Sequence, residues 1–222
     1  KKKGFVFQAA EIYGGLAGFF DFGPLGVELK NNLKSLYWKK FVSKREDCFG
    51  QDGSIITNPA VWKASGHVDS FGDLILTTKT SKTKLRADHF IEDELKIPAD
   101  GMNASDIQKL IEENKLTYKG EEFQEIKDFN LMFQTQVGAD TTKNSTAYLR
   151  PETCQSIFPN FRSVADTQRA KLPFGIVQIG KAFRNEISPR DFVFRSREFE
   201  QMEMEYFYNL DAKCELLTKE LR

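Results

Sequence analysis

The sequence predicts an α+β protein in which an antiparallel sheet is flanked by helices and interrupted by a small inserted subdomain. Three observations predict it. Leucines recur at helical spacing after Gly23-Pro24; two long strand-like runs, residues 174–186 and 195–208, are joined by a polar segment containing Pro189; and a polar stretch from about 98 interrupts the apolar pattern until Tyr148. At 222 residues the chain is long enough to bury roughly 70% of its surface on folding, which excludes a peptide or a disulfide-held miniature.

The first clear element is a helix opened by Pro24, whose fixed φ and missing N–H suit a first helical position. Leu25, Leu29, Leu33, Leu36, Tyr37 and Phe41 form its apolar stripe, with Lys30, Lys34, Lys39 and Lys40 off it. The periodicity shows only one apolar face, as core packing requires, and Val27 and Trp38, off the stripe, favour a second buried surface. Residues 54–57 and 73–78 read as short strands. Between them Asn58 caps, Pro59 starts and Gly66 stops a short helix. Another short helix is expected over 87–95. A small one carrying Ile107, Leu110 and Ile111 follows an Asn103 cap, and a charged connection leads on to Asp128. The domains expected are therefore 1–97, an inserted subdomain 98–146, and 147–222. The chain opens at Lys1 without a methionine and stops inside a helical-looking run from Lys213, so structure is expected to continue past Arg222.

Thirty-two basic residues balance 32 acidic ones, so a polyanion would need a local basic patch. With 29% charged and 13% aromatic residues the chain is too apolar for disorder and too charged for a membrane protein. No apolar leader is visible at the N-terminus, which makes the cytoplasm the default. Cys48, Cys154 and Cys214 are odd in number and far apart, as reduced thiols are, and no C-x-x-C spacing suggests zinc. His67 and His89 read as packing or hydrogen-bonding residues, and no residue is assigned to a metal.

The chemistry sits on the second long strand. Arg195, Arg197, Phe199, Gln201, Glu203 and Glu205 share one parity and hence one face; Met202, Met204, Tyr206 and Tyr208 take the other. On the first strand Arg184 and Glu186 share a face with Gly180 and Ala182, whose small side chains leave room above the sheet. Guanidiniums for phosphates, an aromatic face for a base and carboxylates for its edge are what a nucleoside triphosphate needs where no P-loop exists. A solvated face of paired charges fits the same composition.

The residue order separates the two. Phe183-Arg184-Asn185-Glu186, then a loop, then Arg195-Ser196-Arg197-Glu198-Phe199-Glu200-Gln201-Met202-Glu203 resembles motif 2 of the class II aminoacyl-tRNA synthetases. Asp21-Phe22-Gly23-Pro24-Leu25-Gly26 resembles motif 1 of the homodimeric glycyl-tRNA synthetases. Leu149-Arg150-Pro151-Glu152-Thr153, Ile157 to Phe161, and Arg86-Ala87-Asp88-His89 resemble further segments of that family. Cys154, Ser156 and Phe22 depart from its usual Ala, Gly and Tyr. No motif 3 and no anticodon-binding domain follow, so the class II sheet is expected to be incomplete here.

The resemblance implies that glycine and ATP give glycyl-adenylate, and that glycine then passes to tRNA(Gly). It assigns Arg184 as the catalytic group at the α-phosphate, Arg195 to the outer phosphates, Phe199 to the adenine face and Glu186 to its amino edge. Asn185, Phe194, Ser196, Arg197 and Glu198 complete the ATP set, and Mg2+ is implied on the phosphates. Glu152 and Glu203 match the ammonium-binding carboxylates; Arg86, Phe199, Glu200, Gln201 and Met202 complete the glycine set. A homodimer through the motif 1 helix is implied, with no membrane partner. Read alone, Glu152 is better explained as a helix N-terminal acid after Pro151, and Arg86 fits a surface charge at a strand end as well as it fits function. The rival functions are a noncatalytic class II-like binding protein such as a polymerase accessory subunit, an adenylate-forming paralogue, and activation of proline, serine or threonine.

Overall fold

The structure is a computed structural model, and it describes residues 2–139, 145–189 and 192–209. The helical-looking run from Lys213 lies outside the described residues.

The central layer is a three-stranded sheet in the order β10-β9-β3. β9 (Phe174–Phe183) and β10 (Glu198–Phe207) pair antiparallel over their full length, with Phe199 opposite Ala182 and Gln201 opposite Gly180. The expected hairpin is present, its paired strands three residues shorter at the loop end than the expected 174–186 and 195–208. β3 (Cys48–Gln51) adds in parallel beside β9. It replaces the strand expected over 54–57, where only Ile56 makes an isolated bridge, to Leu149. Gly53 is held instead by side chains, its N–H donating to Gln178 and its carbonyl accepting from Arg150, which bends the chain out of any ladder.

A short hairpin of β1 (Val6–Gln8) and β2 (Phe20–Phe22) leads into helix α1 (Pro24–Trp38). Gly26 lets the two meet, because a Cβ there would sit 2.0 Å from the Phe5 carbonyl oxygen. The leucine stripe of α1 does not pack down on the sheet, although Leu29 and Leu33 line the groove between α1 and the hairpin. Leu25, Leu29, Leu33 and Leu36 are 52%, 61%, 53% and 62% exposed, whereas Lys30 and Lys34 turn inward to pair with Glu200 on β10 at 2.8 and 2.7 Å. Trp38 covers Gly50 of β3, which is the second buried surface that its off-stripe position suggested.

α2 (Pro59–Ala64) starts as its sequence dictates, the Asn58 side chain accepting from the Ala60 N–H. The short α3 (His67–Ser70) follows a left-handed Gly66. A second sheet, ordered β5-β4-β6, combines β4 (Gly72–Thr77), β5 (Lys84–Arg86) and β6 (Lys127–Asn130). Against it pack α4 (Ala87–Leu95) and the Asn103-capped α5 (Ala104–Glu113). Their shared core takes Leu76, Ala87, Phe90 and Ile91 from before residue 98 and Ala99, Ile107 and Ile111 from after it. β7 (Gln134–Gln136) pairs β8 (Thr146–Tyr148) and returns the chain to the main sheet. There α6 (Ile157–Gln168) buries Ile157 against Phe174 and Ile176, with Phe161 stacked on Phe174 at 5.3 Å. This core fixes one sheet face against α6 and leaves the far ends of β9 and β10 to carry polar groups.

Candidate active site

Alternation along β10 places Phe199, Gln201, Glu203 and Glu205 on one face, together with Ala182, Gly180 and Gln178 of β9. The segment from Arg150 to Ser156 lies over that face. Thr153 donates its N–H to Gln201 Oε1 at 3.1 Å and its hydroxyl to Glu203, while Ser156 donates to Gln178 Oε1 at 2.9 Å. The room expected above Gly180 is filled. Arg150 is 2% exposed and its Nη2 lies 2.1 Å from where a Gly180 Cβ would stand. Its Nε donates to the Lys181 carbonyl and its Nη1 to Gly53, each at 2.6 Å, so a buried charge is solvated by backbone rather than by a carboxylate. Burial pushes its pKa down while Asp52 nearby opposes this.

Arg184, Glu186, Arg195 and Arg197 lie past the paired strands, where the period of two no longer decides direction. Arg184 donates from Nε to the Pro151 carbonyl at 3.1 Å and holds Nη2 3.8 Å from Glu152 Oε2. Its guanidinium carbon is 5.4 Å from the Phe199 ring centre and 5.5 Å from that of Phe71. Arg195 donates through Nε and Nη2 to Glu186 Oε2, both at 2.8 Å. Arg197 secures this turn, donating twice to the Glu186 carbonyl and once to that of Ala17. Asn185 is tied by its N–H to the Leu131 carbonyl, Ser196 is buried with its hydroxyl on the Glu198 carbonyl, and Phe194 is 93% exposed.

A carboxylate pocket adjoins Arg184. Glu152 Oε1 receives His67 Nε2 at 3.2 Å, the Cys154 thiol at 3.3 Å and the Gln155 amide. The ligand atoms of Cys154, Glu203 and Glu205 lie within 4.8 Å of one another. Burial, and then the negative charges of Glu203 and Glu152, raise the pKa of Glu205. Burial raises the Cys154 thiol as well, reinforced by Glu152. Such a pocket is short of positive charge and suits an incoming cation.

Arg86 is held by Asp88 through Nε at 3.0 Å and through Nη2, and by Asp73 at 3.3 Å. The Asp88 hydrogen bond leads the upward shift of its pKa. Asp73 is raised, first by burial, and it feels both Glu186 and Arg195, so Arg86 belongs to the same electrostatic cluster as the motif 2 turn.

The structure therefore brings together Arg184, Phe199, Gln201, Glu203 and Glu152, with Arg86, Glu186 and Arg195 adjoining. It does not bring in Glu198, Glu200 or Met202. Glu198 pairs with Lys181 at 2.6 Å, Glu200 meets the α1 lysines, and Met202 lines an apolar groove of about 340 Å³ between α1 and the hairpin, on the other face. Sequence reasoning missed Asp73, Thr153, Gln178 and the contact of His67. Their partners in this site, Arg86, Gln201, Ser156 and Glu152, lie between 13 and 85 positions away in the chain, and no local spacing announces them.

Known proteins resemble this chain in sequence and in fold. Residues 133–219 match the tRNA synthetase class II core domain (G, H, P, S and T). The chain is 50% identical over 215 residues to a glycine--tRNA ligase of Caldanaerobacter subterraneus subsp. tengcongensis, covering 93% of this chain and 47% of the relative. A glycine--tRNA ligase of Ureaplasma urealyticum is 49% identical over 226 residues, covering 100% of this chain and 48% of its own length. The chain thus spans about half the length of the curated relatives it matches. Among solved structures, the RNA binding domain of threonyl-tRNA synthetase from Cryptosporidium parvum superposes with a TM-score of 0.55 at 16% identity, covering 92% of this chain and 34% of that one. That likeness concerns the fold alone.

Proposed function

We propose that this chain, a class II tRNA synthetase segment homologous to glycine--tRNA ligases, builds the ATP and glycine walls of a site that forms glycyl-adenylate and passes glycine to tRNA(Gly). The observation that carries this reading is the position of Arg184, which lies against the Phe199 ring on one side and 3.8 Å from the Glu152 carboxylate on the other. A guanidinium between an aromatic platform and an ammonium pocket is where the α-phosphate must stand if adenine lies by Phe199 and glycine by Glu152.

In this reading the glycine ammonium is held by Glu152 and Glu203, with Glu205 adding negative charge. Its carboxylate then attacks the α-phosphate in line, the bond to the β-phosphate breaks and pyrophosphate leaves, while Arg184 stabilises the charge on the phosphoryl oxygens. Arg195 is held by Glu186 in the free chain, and both become phosphate- and adenine-edge groups on nucleotide binding. Arg86, already paired with two aspartates, acts through the field of that cluster. Mg2+, carried by the nucleotide, would supply neutralisation of the phosphate charge. The described residues at that end are guanidiniums, and Glu186 has one oxygen taken by Arg195, so no protein-held ion and no step through one is derived.

The exposed leucines of α1 supply the homodimer surface of this reading, since four solvated leucines on one helix face are a surface that association covers. The cytoplasmic location proposed with it is supported by the free thiols of Cys48 and Cys154. Among the described residues no helix is long and apolar enough to cross a membrane.

The test is glycine-dependent ATP–pyrophosphate exchange by the full-length protein. Arg184→Ala should lower it by roughly a hundredfold or more, because the guanidinium acts at the reacting phosphate. Phe199→Ala should chiefly raise the ATP KM. Near-normal exchange by Arg184→Ala refutes the assignment.

A further inference from the structure

We infer that His67 is a positioning residue for Glu152, fixing one carboxylate oxygen so that the other faces the ligand; this rests on the reading of Glu152 as the glycine-ammonium group. The sequence alone makes His67 an ordinary packed histidine. Its contacts make it more. His67 Nε2 lies 3.2 Å from Glu152 Oε1, while Oε2 is the oxygen turned toward Arg184.

The imidazole is held on every side. Trp62 meets it edge-on at 5.6 Å, and Phe71 lies tilted against it at 4.9 Å. The Asn130 amide donates to the His67 and Val68 carbonyls at 3.1 and 2.8 Å, so β6 fixes its backbone. Ser65 Oγ sits 2.8 Å from Nδ1. The other donors to Oε1 are the Cys154 thiol, a weak donor, and the Gln155 amide.

Proton logic fixes the role of each nitrogen. An ionised carboxylate only accepts, so Nε2 must carry the hydrogen. In the neutral ring Nδ1 then accepts from the Ser65 hydroxyl. In the protonated ring Nδ1–H donates to Ser65 Oγ, and that hydroxyl turns to the Trp62 carbonyl 3.3 Å away. The bond to Glu152 survives in both states. Ser65 is thus the group that sets the tautomer, as an outer partner orients a ligating histidine. Phe71 also lies against the Arg184 guanidinium, so the same short helix end supports both the glycine and the phosphate sides.

The experiment measures KM for glycine and for ATP in pyrophosphate exchange by the full-length protein carrying His67→Phe, His67→Gln or Ser65→Ala, with melting curves alongside. His67→Phe keeps the ring and its packing but removes the donor, and the glycine KM should rise roughly 10- to 100-fold, the range for losing a hydrogen bond to a charged group. The ATP KM should stay within about twofold, because base and phosphate contacts remain. His67→Gln places an amide N–H near the lost Nε2 and should recover most of the loss. Ser65→Ala, with the ring in place, should raise the glycine KM several-fold without moving the ATP KM. An unchanged glycine KM in His67→Phe, or an equal rise in both KM values, overturns the inference alone. Should His67→Phe fail to fold, an unchanged glycine KM in Ser65→Ala does the same. A wild-type protein without glycine-dependent exchange overturns the reading of the site, and this inference with it.

Discussion

Gly180→Ala is the smallest change that tests how the site is supported. The new Cβ would stand 2.1 Å from Arg150 Nη2 and 3.2 Å from its guanidinium carbon, where ordinary contact begins at 3.4 Å. The guanidinium must therefore retreat by about 1.3 Å, and its two 2.6 Å bonds to the Lys181 and Gly53 carbonyls leave hydrogen-bond range together. Overpacking of a tight interior costs ~1–3 kcal/mol, and weakening bonds from a buried charged donor adds a comparable amount, so about 3 kcal/mol is expected. For a chain of this size that corresponds to a melting temperature roughly 6–12 °C lower. The assay is thermal or urea unfolding of Gly180→Ala in two backgrounds, wild type and Arg150→Lys. Lysine lacks the Nη2 that meets the Cβ, so the cost of Gly180→Ala should largely vanish there. Equal costs in both backgrounds, or no loss in the wild type, would refute the claim that Arg150 occupies the space over Gly180.

Two further outcomes follow from the charges. Glu205 has its pKa raised by burial and by Glu203 and Glu152, so its ionisation destabilises the folded state as pH rises through that raised value. Glu205→Gln should therefore melt above the wild type at about pH 8, the gap closing on acidification below the carboxylate range; identical melting at both pH values counts against it. Asp47 is held down to about 2 from 3.8, first by its hydrogen bond from Arg45, against burial, and then by that of the Tyr206 hydroxyl, which is itself pushed up to about 12. Its stabilisation is present above the unfolded value and is lost as pH falls from about 4 toward 2. With about a third of the side chain exposed, solvent screening reduces this to ~1 kcal/mol. Asp47→Asn should lower stability by that amount at neutral pH and by progressively less in acid, as read by unfolding across the range; a constant gap at every pH would contradict it.

The sequence by itself determined the local elements and the order of the chemical groups. Asn58 and Asn103 cap the helices they were expected to cap, α4 begins at Ala87 as read, and the β9–β10 hairpin carries Phe199, Gln201 and Glu203 on one face as the period of two requires. Those signals are short-range, set by one cap, one turn or one alternation. Tertiary structure alone decided which face of α1 turns inward. Leucine spacing defines a stripe but not its partner, and Glu200 on β10 draws Lys30 and Lys34 to the sheet while the leucines stay exposed. It decided that Gly180 makes space for Arg150 rather than for a ligand, and that a histidine 85 positions away holds Glu152. Both depend on pairs distant in the chain, where the gain is satisfying a buried polar group and no sequence periodicity records which group will arrive to do it.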